Sequence, residues 1–139
     1  MLDPMEEKAD GTQERLTAAG LDAAELGERA TLVQFSSAFC RPCAATRRVL
    51  ADVAGMVAGV AYVDVDAESH LGLVRRLGVE RTPTVLVLDA EGSVVRRAEG
   101  LPRKADVIAA LGAAVAAGPR RAEGDGRARR VGNVTAEQP

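Results

Sequence analysis

Cys40-Arg41-Pro42-Cys43 holds the only two cysteines of the chain, two residues apart. Thiols at this spacing can close a short disulfide and open it again, which is the chemistry of thiol–disulfide exchange. The reacting species is the thiolate, and it needs positive potential nearby. Arg41 lies beside Cys40. Pro42 suits the first turn of a helix, where its missing N–H is no loss. A helix starting here would turn its unbonded N–H groups and positive dipole end toward Cys40. Cys40 is then expected to be the exposed nucleophile, and Cys43, one turn in, the more buried resolving thiol. A structural disulfide, two inert thiols and a metal site are the alternatives. Two thiolates leave a metal short of ligands, and the single histidine, His70, falls on a different predicted helix.

Such a pair needs a strand that ends and a helix that begins at it. The apolar run Thr31-Leu32-Val33-Gln34-Phe35 predicts a buried strand over 31–36, followed by a loop over 37–39. Val49, Leu50, Val53, Ala54 and Val57 recur at helical spacing and predict a helix from about 42 to 58, ending near Gly59. Residues 60–66 alternate as a strand, with Val63 and Val65 on one face and Tyr62, Asp64 and Asp66 on the other. Ser69 is expected to cap a helix carrying Leu71, Val74 and Leu77 and stopped at Gly78. A linking segment over 79–82 leads to residues 83–88, which show almost no polar alternation and predict a strand buried on both faces. A turn over 89–92, an edge strand over 93–98 with Arg96 and Arg97 near its end, and a break at Gly100 follow. The last predicted helix spans 103–117, with Val107, Ile108, Leu111 and Val115 on its buried side. Upstream, residues 15–17 read as a short edge strand and 22–26 as one helical turn closed by Gly27.

The chain's 139 residues suit one domain with tails. We expect a disordered acidic lead over 1–13, a domain over 14–117, and a disordered Arg-rich tail over 118–139. Apolar residues make up 47% of the chain, yet Phe35, Phe39 and Tyr62 are its only aromatics, so the core must come from Val, Leu and Ala. The net charge of −2 gives no reason to expect nucleic acid. No apolar run is long enough to span a membrane, and the acidic start lacks the apolar stretch of a signal peptide, so a cytoplasmic protein is expected. Arg47 and Arg48 read as a solvated helix face and His70 as a surface residue. Asp64 and Asp66 read as a strand edge and turn, with Asp64 in reach of the helix that follows Cys40. Phe35 reads as core.

The order β-α-β-α-β-β-α, with the CxxC opening the first long helix, resembles the thioredoxin family over about residues 14–117. The matching motifs are Phe39-Cys40-Arg41-Pro42-Cys43, Val63-Asp64-Val65-Asp66, Gly78-Val79-Glu80-Arg81-Thr82-Pro83-Thr84, Asp89-Ala90-Glu91-Gly92 and Gly100. The resemblance implies an α/β thioredoxin fold: a central mixed β-sheet of four to five strands flanked by helices. It implies that Pro83 is cis and lies beside the CxxC. Thr82 is implied to offer its backbone to a substrate chain as an added strand, and Gly100 to let that chain lie close. Phe39, Arg41 and Pro42 complete the implied substrate surface. The departures are informative. Thioredoxin has Trp-Cys-Gly-Pro-Cys; Phe39 replaces the tryptophan and Arg41 the glycine. Its buried aspartate, six residues before the first cysteine, corresponds to Gln34, and its partner lysine to Tyr62. Both members of a buried charged pair are absent together, which avoids stranding one charge, and no side chain is an evident base for Cys43. This pattern is more similar to the thioredoxin-like proteins of thiol–disulfide transfer chains.

These readings converge on a thiol–disulfide oxidoreductase, of the protein-disulfide reductase kind, with roles in electron transport and cell redox homeostasis. It would need no metal, nucleotide or flavin, its cofactor being the Cys40–Cys43 pair. The expected partners are protein thiols and disulfides and an upstream electron donor or acceptor, with the chain a monomer. The helix terminus, Arg41 and the missing carboxylate all stabilise the reduced pair, so a potential less reducing than that of thioredoxin is expected. The rival readings are a redox-regulated binding module without turnover and a thiol-dependent peroxidase; the Thr-x-x-Cys pattern of the latter is absent.

Overall fold

The computed structural model describes residues 6–7 and 14–116. Apolar alternation builds one sheet with a core on each side. Its strands are β1 (Glu6–Glu7), β2 (Ala30–Ser36), β3 (Val60–Asp66), β4 (Thr84–Asp89) and β5 (Val94–Glu99), in spatial order β1-β5-β4-β2-β3. β3 runs parallel to β2, joined through helix α1 (Arg41–Met56), while β4 and β5 are antiparallel additions. The α/β thioredoxin fold expected from the sequence is the one formed.

Side chains alternate across each strand. Ala30, Leu32, Val85 and Val87 meet Leu50 and Val53 of α1 and Val107, Ala110, Leu111 and Ala114 of α3 (Lys104–Ala116). Val33, Phe35, Val65, Leu86 and Leu88 form the second core, with Leu77 of α2 (Leu71–Leu77), Val79, and Leu16 and Leu21 of the segment before β2. Phe35 is core, as expected. The parity places Gln34 and Tyr62 on the side of α1, and there they acquire their role.

Several local expectations are corrected. Residues 22–26 form no helical turn. The chain instead turns at 18–22, with Leu21 N–H bonded to Thr17 O and Ala23 N–H to Ala18 O, and Asp22 sits at φ 61°, which a helix cannot continue. Arg15 makes a single bridge to Ser93 rather than a strand. Ser69 does not cap α2. It lies in a 3₁₀ turn, Ala67–Ser69, and its hydroxyl donates to Asp66, the residue that caps the turn by accepting from Glu68 N–H. Gly78 does end α2, at φ 67°. Ile108 is 41% exposed, because the buried stripe of α3 runs 107, 110, 111, 114 and leaves position 108 about 100° away from Val107. Beyond β5, Glu6 and Glu7 pair with Arg97 and Arg96 as a two-residue antiparallel strand. The rest of 1–13 and the tail from 117 onward, including the expected disorder there, lie outside the described residues.

Gly92 closes the turn from β4 to β5 at φ 86°, and a Cβ there would collide with the carbonyl oxygen of Leu16. Gly92→Ala is therefore expected to cost about 2 kcal/mol or more in urea unfolding, through strain and collision together.

Candidate active site

The strand β2 ends at Ser36, and the loop 37–39 delivers the chain to α1. Cys40 is the N-cap residue, in extended conformation, and Pro42 stands in the first turn. Among the described residues no side chain caps this helix end, and its first turn holds no acidic residue. The field of the terminus is therefore left to Cys40, which favours a thiolate there. Cys40 and Cys43 are joined by a disulfide, with Cα atoms 5.2 Å apart, and Cys43 N–H bonds to Cys40 O at 3.2 Å. Cys40 is half-buried, whereas Cys43 is 1% exposed. Arg41 and Pro42 are exposed, and Phe39 is almost wholly so at 99%.

The strand order brings the segment before β4 to the same end of the sheet, since Phe35 pairs with Thr84. The Thr82–Pro83 bond is cis, as the resemblance implied. Ser37 Oγ and Thr82 Oγ1 are 3.0 Å apart and hydrogen-bonded, tying the loop ahead of the CxxC to the residue before the proline. Gly100, at φ 83°, donates its N–H to Pro83 O at 2.8 Å, and no atom of the described residues lies within 4 Å of where its absent Cβ would be. Thr82, Pro83 and Gly100 thus form one connected unit next to the CxxC loop.

Behind the CxxC, the positions of the missing charged pair hold a neutral one. Gln34 is fully buried, and its Nε2 donates to Cys43 O at 3.0 Å. Tyr62 donates its hydroxyl to Gln34 Oε1 at 2.8 Å. Arg47 of α1 donates to Asp64 at 2.9 Å, and Asp64 also accepts from Ser36 at 2.7 Å. Asp64 thus reaches α1, as its position in β3 suggested, and Arg47, read as solvated, is its partner. Asp64 raises the Arg47 pKa further through this hydrogen bond and its negative charge. His70 lies apart from this cluster, with Nδ1 at 3.0 Å from Asp66 O and Nε2 at 3.7 Å from Asp22. Among the described residues, no group of three or more His, Cys, Asp or Glu is arranged to hold a metal. No helix among them is long and apolar enough to cross a membrane.

The sequence marked Gln34 and Tyr62 only as departures from a pattern and passed over Ser36 and Ser37. The contacts of Gln34, Ser36 and Tyr62 were readable only from strand parity and parallel register, which set Leu32 beside Tyr62 and Gln34 beside Asp64.

Tyr62 is the one tyrosine and the chain has no tryptophan, so tyrosinate absorbance reports this hydroxyl alone. Burial, and then the charge of Asp64, push its pKa up from 10 to about 12, against the opposing effect of Arg47. The folded value lies above the unfolded one. The contribution to stability is therefore full below pH 10 and is lost as pH rises toward about 12. We expect a native absorbance midpoint near 12 that falls to near 10 in denaturing urea. A native midpoint at 10 would show that the hydroxyl is not held as described.

Comparison with known proteins agrees with this geometry. The profile of a family described as thioredoxin-like domain matches residues 18–115. Chloroplastic thioredoxin z is 21% identical, with a TM-score of 0.58, over 76% of this chain and 96% of that one. A thioredoxin from Nicotiana alata is 23% identical, with a TM-score of 0.56, over 63% of this chain and 74% of that one. A mutant thioredoxin from Halobacterium salinarum is 20% identical, with a TM-score of 0.58, over 63% and 76%. At these identities the likeness is one of fold. A search of curated proteins finds no match. The fold and the bonded CxxC pair support thiol–disulfide oxidoreductase chemistry. With the matched span covering well over half of its length, this chain belongs to the family of thioredoxin-like domains.

Proposed function

We propose that the protein exchanges disulfides with protein substrates, Cys40 acting as nucleophile and Cys43 as resolving thiol. The observation that carries this assignment is the asymmetry of the pair: Cys40 is half-buried at an uncapped helix terminus, and Cys43 is 1% exposed behind it. In the reducing direction, Cys40 thiolate attacks one sulfur of a substrate disulfide. The new Cys40–substrate bond forms, and the other substrate sulfur leaves as a thiolate and takes up a proton. Cys43 then loses its proton and attacks Cys40 Sγ, expelling the remaining substrate thiolate. The substrate gains two electrons and two protons, and the pair ends as the 40–43 disulfide. Oxidation of a substrate dithiol is the reverse path. A dithiol donor restores the reduced pair.

Substrate positioning falls to the unit around the cis-proline. Thr82 presents its backbone to an extended chain, Gly100 leaves the chain room, and exposed Phe39, with Arg41 and Pro42, offers an apolar and cationic flank. Dithiothreitol-driven reduction of insulin tests the proposal: the wild-type chain is expected to accelerate it. Absence of turnover with retained substrate binding would instead favour a binding module, and peroxide consumption by the reduced pair would favour a peroxidase.

A further inference from the structure

Gln34 is fully buried between β2 and α1, and both of its polar atoms are held. Cys43 O can only accept, so the amide nitrogen must face it, and the Tyr62 hydroxyl fixes the flip by donating to Oε1. An amide nitrogen carries two protons. One goes to Cys43 O; the other has no acceptor among the described residues in the disulfide form. A buried donor without a partner is unfavourable, and it stands against the residue whose sulfur gains negative charge when the disulfide opens. The ionisable groups on the two flanking elements do not remove that charge from its reach. Arg47 and Asp64 bind each other, and Arg41 is exposed.

We infer that Gln34 donates its second amide proton to Cys43 Sγ in the reduced protein, with Tyr62 as the positioning residue that keeps the amide turned toward it. This rests on the exchange reaction proposed above and adds to it what governs the resolving sulfur. Reduction places two electrons on the two sulfurs as the S–S bond breaks, and the contact forms only in that state. It therefore favours the dithiol form and makes the pair a stronger oxidant. A carboxylate at this position would do the opposite, by repelling a thiolate. Cys43 gives up its proton to solvent or to the departing substrate sulfur, since Gln34 accepts none.

The test compares the full-length wild type with Gln34→Met and Tyr62→Phe, each equilibrated with glutathione. The Met side chain keeps approximate length and loses the donor. At a pH above the Cys43 titration, where the acceptor is a charged sulfur, loss of the hydrogen bond is expected to shift the equilibrium toward the disulfide by about tenfold. Tyr62→Phe, which keeps the ring and its packing, is expected to shift it about threefold the same way, by releasing the amide. In a Cys40→Ser background, thiolate absorbance of Cys43 should titrate about one pH unit higher with Gln34→Met. A merely structural role would lower thermal stability and leave both readings unchanged. Folded variants with wild-type equilibrium and titration overturn the inference, and if Gln34→Met does not fold, Tyr62→Phe decides alone. Failure of the exchange reaction itself would appear separately, as a wild-type pair that does not equilibrate with glutathione, while the Cys43 titration would still read the donor.

Discussion

Cys40→Ser is expected to return insulin reduction to the rate of dithiothreitol alone, a loss beyond ~10³-fold on the scale set by removal of other catalytic nucleophiles. A serine hydroxyl does not ionise near neutrality, and the helix terminus that favours a thiolate cannot make an alkoxide of it. Cys43 cannot take over, because it is 1% exposed and its carbonyl oxygen is bonded to the fully buried Gln34. The disulfide is not the main support of the fold, since two packed cores flank the sheet. The variant should therefore keep its near-native circular dichroism while losing turnover. Loss of activity together with loss of fold would leave Cys40 a structural residue.

The second large effect concerns the buried pair. Gln34→Asp at neutral pH is expected to destabilise the fold by about 3–5 kcal/mol, the scale for a buried charge without a partner. The new carboxylate would face the Cys43 carbonyl oxygen, where the amide now donates. Tyr62→Lys alone should be milder, because the site is only half-buried and a lysine can extend toward water. The double variant should recover part of the loss, with a favourable coupling of about 2 kcal/mol in urea unfolding. The carboxyl in Gln34→Asp would have its folded pKa raised by burial. Its unfavourable contribution therefore shrinks as pH falls and grows as pH rises through that value. Equal losses at acid and neutral pH, or strict additivity of the two changes, would contradict this account of the pair.

How much of this was legible in the sequence depends on the range of the interaction. The CxxC and its helix start are local: cysteine spacing, Pro42 and the periodic run from Val49 to Val57 lie within one stretch. The element order and the αL stop at Gly78 were likewise written in local residues. The cis bond before Pro83 came from a resemblance, since no local propensity demands it. What escaped was the choice of partner. Ser69 had the type of a helix cap, but Asp66 was nearer and took its hydroxyl. Residues 22–26 had helical composition, yet Asp22 sits at φ 61° beside buried Leu21, so burial overrode propensity. Ser37 carries no local mark of its bond to Thr82, 45 positions away. Gln34 looked like a loss until the register of β3 set Tyr62 on the same face.

The most direct test of the proposed mechanism is the site of covalent capture. Reduced Cys43→Ser, mixed with disulfide-bonded insulin and mapped by mass spectrometry, should accumulate a mixed disulfide at Cys40 that dithiothreitol releases. No adduct, or an equal yield at Cys43 in the Cys40→Ser chain, would contradict the assignment of Cys40 as the attacking sulfur.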